Sequence, residues 1–217
     1  MTRASVRTAG IAVVLGGAGA ALLVGFAGVA QAAPGAPAPH STHGGGMYGD
    51  PAAAAPFWRR QHDSNCGEMA VADVVGQATG KEPTEQQIDS TAENISSVAH
   101  SGSVWHPGGS TNNQDLPVLL AHYGVKATTA NSTTGALEQN LSQGRKVIVG
   151  VNSEILWNDR GNRTQEDHFV VVTGIDTKAG VVHLNDSGVN AGRDEQVPLA
   201  TFESAWATSH NFSVVTS

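Results

Sequence analysis

Apolar positions in the first half of the chain recur at helical spacing. From Cys66 to Thr79 they fall three and four residues apart, which predicts a helix that begins after Ser64 or Asn65 and closes at Gly80. A second helix is expected to follow Pro83-Thr84 and to end near Asn94. Two shorter helices are predicted over 114–123 and 134–143.

The second half of the chain changes to the pattern of strands. Lys146–Val151 is a short apolar run, and two β-branched segments follow at His168–Asp176 and Val181–Asp186, joined by a turn at 177–180. Helices followed by an antiparallel sheet indicate an α+β fold. Polar loops are expected at 100–112 and 152–166, and a final helix and strand at 199–208 and 212–216.

The N-terminus has the pattern of an export signal. Arg3 and Arg7 precede an uncharged apolar run, and Ala30-Gln31-Ala32 matches a small-x-small cleavage site. Residues 1–32 are therefore interpreted as a signal peptide that is cleaved after Ala32, so that the protein is secreted or associated with the cell envelope. The alternative is an uncleaved membrane anchor, but the many Gly and Ala residues make the run a poor anchor.

A segment rich in Pro, Ala, Gly and His follows this signal. Residues 33–56 lack periodic apolar positions, which predicts a flexible tether. The folded domain is expected to span 57–217, and deleting the tether is expected to leave its activity intact.

Composition narrows the class of function. The chain has 217 residues and a formal net charge of −7, so one domain is expected and a nucleic-acid partner is not. Outside the tether, the histidines lack the helical spacing that metal ligands show. We expect no metal and no cofactor.

Cys66 is the only cysteine, so it is either a buried structural thiol or a reactive one. A cysteine at a helix start meets free N–H groups and the positive end of the helix dipole, which favour the nucleophilic thiolate. Gln61, five residues earlier, places a side-chain amide where it can donate to an oxyanion together with the Cys66 N–H.

His168 begins an apolar strand, which is where a base would be held rigidly at the edge of a sheet. The hairpin returns to Asn185-Asp186, and a carboxylate or amide there would orient the imidazole. An odd-numbered hairpin loop puts Asp186 on the face of His168, and an even-numbered loop puts Asn185 there. Residues 178–180 suit a three-residue loop, which favours Asp186, with a bulge or twist needed to close the remaining offset.

Three motifs together resemble a known family. Gln-x4-Cys-Gly, Asp-His-Phe-Val-Val-Val-Thr-Gly-Ile-Asp and Leu-Asn-Asp-Ser are similar to those of the papain-like cysteine peptidases that process bacteriocin leaders after a double glycine, above all to stand-alone members. The resemblance covers about 57–215 and implies N-terminal helices packed on a C-terminal antiparallel sheet. It also implies Gln61 as oxyanion-hole residue, Cys66 as nucleophile, His168 as base and Asp186 as orienting acid. Two features depart from the family: no transporter segments are present, and Ser187 stands where the family often has Pro.

The expected activity is hydrolysis of a peptide or protein substrate outside the cytoplasm, with no stable membrane insertion once the signal is removed. Amidases of cell-wall peptides and transglutaminases use the same triad and stay open as alternatives. A non-catalytic papain-like binding module is a further alternative, and its Cys66 would be unreactive. A redox-sensing thiol is disfavoured because no second cysteine could resolve it.

Overall fold

A seven-stranded antiparallel sheet organises the computed structural model, which describes residues 46–217. Six strands follow the order β2-β7-β3-β4-β5-β6, and β1 pairs with the end of β4 that β3 leaves free. The strands are β1 (Met47–Gly49), β2 (Ala127–Asn131), β3 (Val147–Val151), β4 (His168–Asp176), β5 (Val181–Asn185), β6 (Glu195–Pro198) and β7 (Phe212–Thr216).

Helices occur mainly before the central strands, which confirms the predicted α+β class. They are α1 (Pro51–Ala54), α2 (Cys66–Thr79), α3 (Glu85–Asn94), α4 (Leu116–His122), α5 (Thr134–Ser142), α6 (Ser153–Leu156) and α7 (Leu199–Ala207), with 3₁₀ turns at Ala55–Phe57 and Asn113–Asp115.

The helix α2 has the predicted bounds. Asn65 precedes it, and Gly80 ends it in the left-handed conformation with φ +74°. The short helix α6 was not foreseen within the loop at 152–166. It begins because the Asn152 side chain accepts a hydrogen bond from the Ile155 N–H.

The sheet is covered by helices on both faces, and the N-terminal helices pack on it as the resemblance implied. On one face, Ile148 and Val171 pack with α2 and α4. On the other, Val149 and Val170 pack with α5 and α7. Since every residue of β3 is buried, a layer on each side is what this strand requires.

Regular structure lies inside the segment predicted as a tether, so that prediction is wrong for residues 47–56. β1 pairs with residues 174–176 of β4, and Asp50 caps α1 by accepting from the Ala53 N–H at 3.0 Å. Three-residue strands and one-turn helices carry too little periodicity to be read from sequence. The rest of the predicted tether and the predicted signal peptide lie outside the described residues.

The hairpin between β4 and β5 has a four-residue loop at 177–180 rather than the predicted three-residue loop at 178–180, so that prediction is wrong. By alternation alone, this even loop would place Asn185 on the face of His168.

A β-bulge at Thr173 reverses that outcome. The pairing of β4 with β5 shifts by one residue at this point. Val172 and Ile175 consequently pack in the same core, although alternation without a bulge would point them to opposite faces. Asp186 therefore lies on the face of His168, as predicted, but the bulge and not the loop length puts it there.

Candidate active site

Cys66 is the first residue of α2 and is half-buried. The side chain of the preceding Asn65 does not cap the helix but donates to the carboxylates of Glu85 and Asp89, each at 3.0 Å. The first-turn N–H groups beside Cys66 are thus left for another acceptor.

A loop from the helical half holds the start of α2 in place. Trp105 is buried, and its indole N–H donates to the Ser64 carbonyl at 3.1 Å. The Thr111 hydroxyl donates to the Glu68 carboxylate at 2.5 Å. A Cβ on Gly67 would lie only 3.0 Å from the Thr111 side chain. Because glycine has no Cβ, Thr111 can approach the backbone of α2 at the residue after Cys66.

His168 opens β4 and is almost completely buried, with 6% of its surface exposed. Its Nε2 lies 2.7 Å from Asp186 Oδ1. An ionised carboxylate only accepts hydrogen bonds, so Nε2 carries the proton and Nδ1 is the nitrogen left for Cys66.

The pKa of His168 reflects both neighbours. Burial on its own lowers this pKa, but the charge and hydrogen bond of Asp186, together with the contact to Cys66, outweigh burial and raise the pKa to about 10. The imidazolium is thus the stable form of His168 at neutral pH, with Cys66 close enough to act as its hydrogen-bond partner.

Asp186 is fully buried, yet it is held in its charged form. Its Oδ1 also accepts from the Gly188 N–H at 2.6 Å, and its Oδ2 accepts from the Trp157 indole at 2.9 Å. Burial favours a higher pKa for Asp186, but the charge of His168 and these hydrogen bonds outweigh it and lower the pKa. A Cβ on Gly188 would lie 2.9 Å from the imidazole, so a larger residue would crowd the ring.

Gln61 lies against the turn that carries Asp186. Its N–H donates to the Ser187 carbonyl at 3.0 Å, and its side-chain Oε1 accepts from the Ser187 hydroxyl at 2.7 Å. With Oε1 fixed in this way, Nε2 is the donor end of the amide and reaches the Asp63 carbonyl at 2.9 Å. Ser187, the residue that departs from the family pattern, thus orients Gln61.

The model of a protein family described as "Peptidase_C39 like family" matches residues 56–214, most of the chain. The chain belongs to the Peptidase_C39 like family. The resemblance inferred from the three motifs is thereby confirmed, and all four predicted site residues lie within the matched region.

The chain is also similar to proteins of known sequence and to a solved structure. Uncharacterized proteins of Mycobacterium tuberculosis (strain ATCC 25618 / H37Rv) and Mycobacterium bovis are each 48% identical over 203 residues, covering 82% of this chain and 88% of theirs. A crystal structure of a protein from Bacillus anthracis, described as a C39-like peptidase, superposes with a TM-score of 0.60. The two sequences are 15% identical, and the superposition covers 79% of this chain and 97% of the other. The two proteins therefore share a fold.

Membership of a C39-like peptidase family indicates a hydrolase with a peptide substrate. Among residues 46–217, no helix has the length and apolarity to cross a membrane. In the same range, no group of three or more His, Cys, Asp and Glu side chains is arranged to hold a metal ion.

Two tryptophans contribute to the site in ways that the sequence left open. The ring of Trp157 lies 5.2 Å from that of His168, edge to face, and covers the His168–Asp186 pair. Trp58 donates to the Asp186 carbonyl at 2.6 Å. An indole N–H that is shielded from water needs an acceptor. This requirement is the one feature of the sequence that could have indicated hydrogen bonds from Trp58 and Trp157 to the site.

Proposed function

We propose that this chain is an exported cysteine peptidase that hydrolyses peptide bonds, with Cys66 as nucleophile, His168 as general acid and base, Asp186 as orienting carboxylate and Gln61 in the oxyanion hole. One observation carries the proposal: His168 binds Asp186 through Nε2 at 2.7 Å, and Cys66 lies near enough to help raise the pKa of the imidazole. This is the order of contacts that a catalytic triad requires.

In the first step, the Cys66 thiolate attacks the carbonyl carbon of the scissile bond, and the carbonyl oxygen becomes an oxyanion. The Cys66 N–H and Gln61 Nε2 are the donors that would hold this oxygen. Gln61 Nε2 would exchange the Asp63 carbonyl for the oxyanion while its Oε1 stays fixed by Ser187.

In the second step, the imidazolium of His168 gives its proton to the leaving amine, the C–N bond breaks and a thioester to Cys66 is formed. Neutral His168 then takes a proton from water, whose oxygen attacks the thioester and releases the carboxylic acid. Because the pKa of His168 is high, the imidazole is protonated at the start of the cycle and can supply this proton. Asp186 keeps the same ring nitrogen protonated throughout.

Export is supported by the charged start, apolar run and Ala30-Gln31-Ala32 pattern of the sequence. We expect the mature protein, recovered from culture medium or the cell envelope, to begin at Ala33 when its N-terminus is sequenced. Recovery of the intact N-terminus in the membrane fraction would contradict this part of the proposal.

The activity is tested by incubating the protein with a mixture of synthetic peptides and with cell-wall stem peptides, followed by mass spectrometry of the products. The proposal predicts new amino and carboxyl termini with wild type and none with Cys66→Ala. Cleavage confined to the stem peptides would indicate a cell-wall amidase, and loss of ammonia with joining of an amine would indicate a transglutaminase. The proposal is wrong if wild type and Cys66→Ala give the same products.

A further inference from the structure

Glu195 is the first residue of β6, the strand that follows the turn after Asp186. It is paired with Leu184 in the β5–β6 ladder. Residues two apart on a strand share a face, so Glu195 lies on the side of the sheet from which Leu184 and Asp186 project.

The register places Glu195 and Asp186 on the same face, and the negative charge of Asp186 acts on the carboxyl group of Glu195. Asp186 Oδ1 already accepts from His168 and Gly188, and Oδ2 accepts from Trp157 alone. A carboxylate oxygen has room for two donors, so Oδ2 can take one more. Glu195 Oε2 is buried and meets no hydrogen-bond partner among residues 46–217.

Two carboxyl groups in contact do not both ionise readily, and the surroundings decide which one keeps the proton. Burial and then the negative charge of Asp186 raise the pKa of Glu195 to about 7, against a smaller opposing effect of His168. The pKa of Asp186 is lowered instead. Below neutral pH, the proton of the pair therefore resides on Glu195.

Other charged groups on the neighbouring elements face elsewhere. On β6 itself, Asp194 binds His183 at 2.7 Å. On α7, which packs against β6, Glu203 accepts from the Thr134 hydroxyl at 2.6 Å. Within the described residues, Asp186 and His168 are the titratable groups that act on Glu195.

We propose that Glu195 is a positioning residue that, in its protonated form, donates a hydrogen bond to the Asp186 carboxylate and fixes the orientation in which Asp186 holds His168. This inference rests on the proposed function, because it assigns regulation by pH to the same triad. Glu195 touches none of the reacting atoms and acts only through Asp186.

Ionisation of Glu195 weakens the site in two ways. The donor to Asp186 is lost and is replaced by repulsion between two carboxylates. The added negative charge also stabilises the imidazolium of His168, which makes it a weaker acid toward the leaving amine. Both effects lower turnover as the pH rises through neutrality.

The test follows the proton on His168 Nε2 by NMR between about pH 5 and 9, because its resonance reports the hydrogen bond to Asp186 directly. We expect an inflection near pH 7 in wild type, its loss in Glu195→Gln and in Glu195→Ala, and its retention in the matched control Asp194→Asn. In a peptide assay, the ratio of kcat at pH 6 to kcat at pH 8 should fall several-fold in Glu195→Gln, with KM unchanged.

The inference is overturned if wild type shows no inflection, or if Glu195→Gln or Glu195→Ala keeps it. The NMR measurement does not depend on turnover. If the inflection is present but Cys66→Ala and wild type are equally inactive, the proposed function fails while the positioning of Asp186 by Glu195 stands.

Discussion

The two halves of the candidate site are built in different ways. His168 and Asp186 lie on neighbouring strands, are buried, and are held by side-chain hydrogen bonds that include Trp157. Cys66 and Gln61 are half-buried and depend mainly on backbone groups, at a helix start and along an extended segment. The histidine half should therefore respond strongly to changes of neighbouring side chains and of pH, and the cysteine half much less.

The largest expected effect lies within the histidine half. Asp186→Asn keeps the shape of the side chain but removes the charge that holds Nε2 protonated, so kcat/KM should fall about 10³- to 10⁴-fold. Steady-state hydrolysis measures this, with Asp194→Asn as the control that stays near wild type. A loss of less than tenfold would show that His168 is oriented without Asp186.

On the cysteine half, Gln61→Ala removes one oxyanion donor and should lower kcat about 10²- to 10³-fold with little change in KM. Ser187→Ala leaves the amide in place but frees its Oε1, and a smaller loss is expected. Equal kcat values for Gln61→Ala and wild type would remove Gln61 from the mechanism.

A matched pair of tryptophan variants compares the halves directly. Trp157→Phe removes the indole donor from a buried, ionised oxygen of Asp186, which costs about 1–3 kcal/mol, or roughly 5- to 150-fold in kcat/KM. Trp105→Phe removes a donor to the Ser64 carbonyl, a neutral acceptor on the cysteine side, and should cost less. If Trp105→Phe is the more damaging variant, the contrast between the halves is wrong.

The pH dependence of stability should also originate in the histidine half. The pKa of His168 is raised from 6.5 to about 10 on folding, so its stabilising contribution is complete below pH 6.5 and is lost as the pH rises toward 10. The free energy of unfolding, measured by denaturant titration across this window, should decline more steeply in wild type than in Asp186→Asn. Parallel declines would contradict the raised pKa.

The smallest expected effect concerns the N-terminal segment. Removing residues 1–45 should leave activity and stability unchanged, because β1 and α1 remain. Removing 1–56 also deletes the Ala54 carbonyl that accepts from Asn185 at 3.0 Å, next to Asp186, and should lower the melting temperature. Thermal unfolding of both truncations tests this. Equal melting temperatures would show that residues 47–56 do not contribute to stability.

The elements that were predicted correctly are those whose structure is determined by a local sequence pattern. The bounds of α2, which begins at Cys66 and is closed by Gly80 directly after Thr79, follow from helical periodicity and the need for a left-handed residue at the end. The strand that starts at His168 was equally predictable from its β-branched run.

The predictions failed where the structure depends on the pairing of two segments that are distant in the sequence. The bulge at Thr173 exists through the pairing of two strands. Asp186 therefore shares the face of His168, as predicted, although the predicted loop length was wrong. The proposed contact between Glu195 and Asp186 likewise depends on the β5–β6 register, which single-sequence patterns do not contain.

The central claim is that Cys66 and His168 form a reactive pair, and alkylation tests it most directly. The rate of reaction of Cys66 with iodoacetamide would be measured from about pH 5 to 9 in wild type and in His168→Ala. The account predicts fast alkylation at about pH 6, where a free thiol is almost entirely protonated, and a marked slowing in His168→Ala. Slow alkylation at this pH in both proteins would mean a structural thiol, and a non-catalytic binding module would then be the better account.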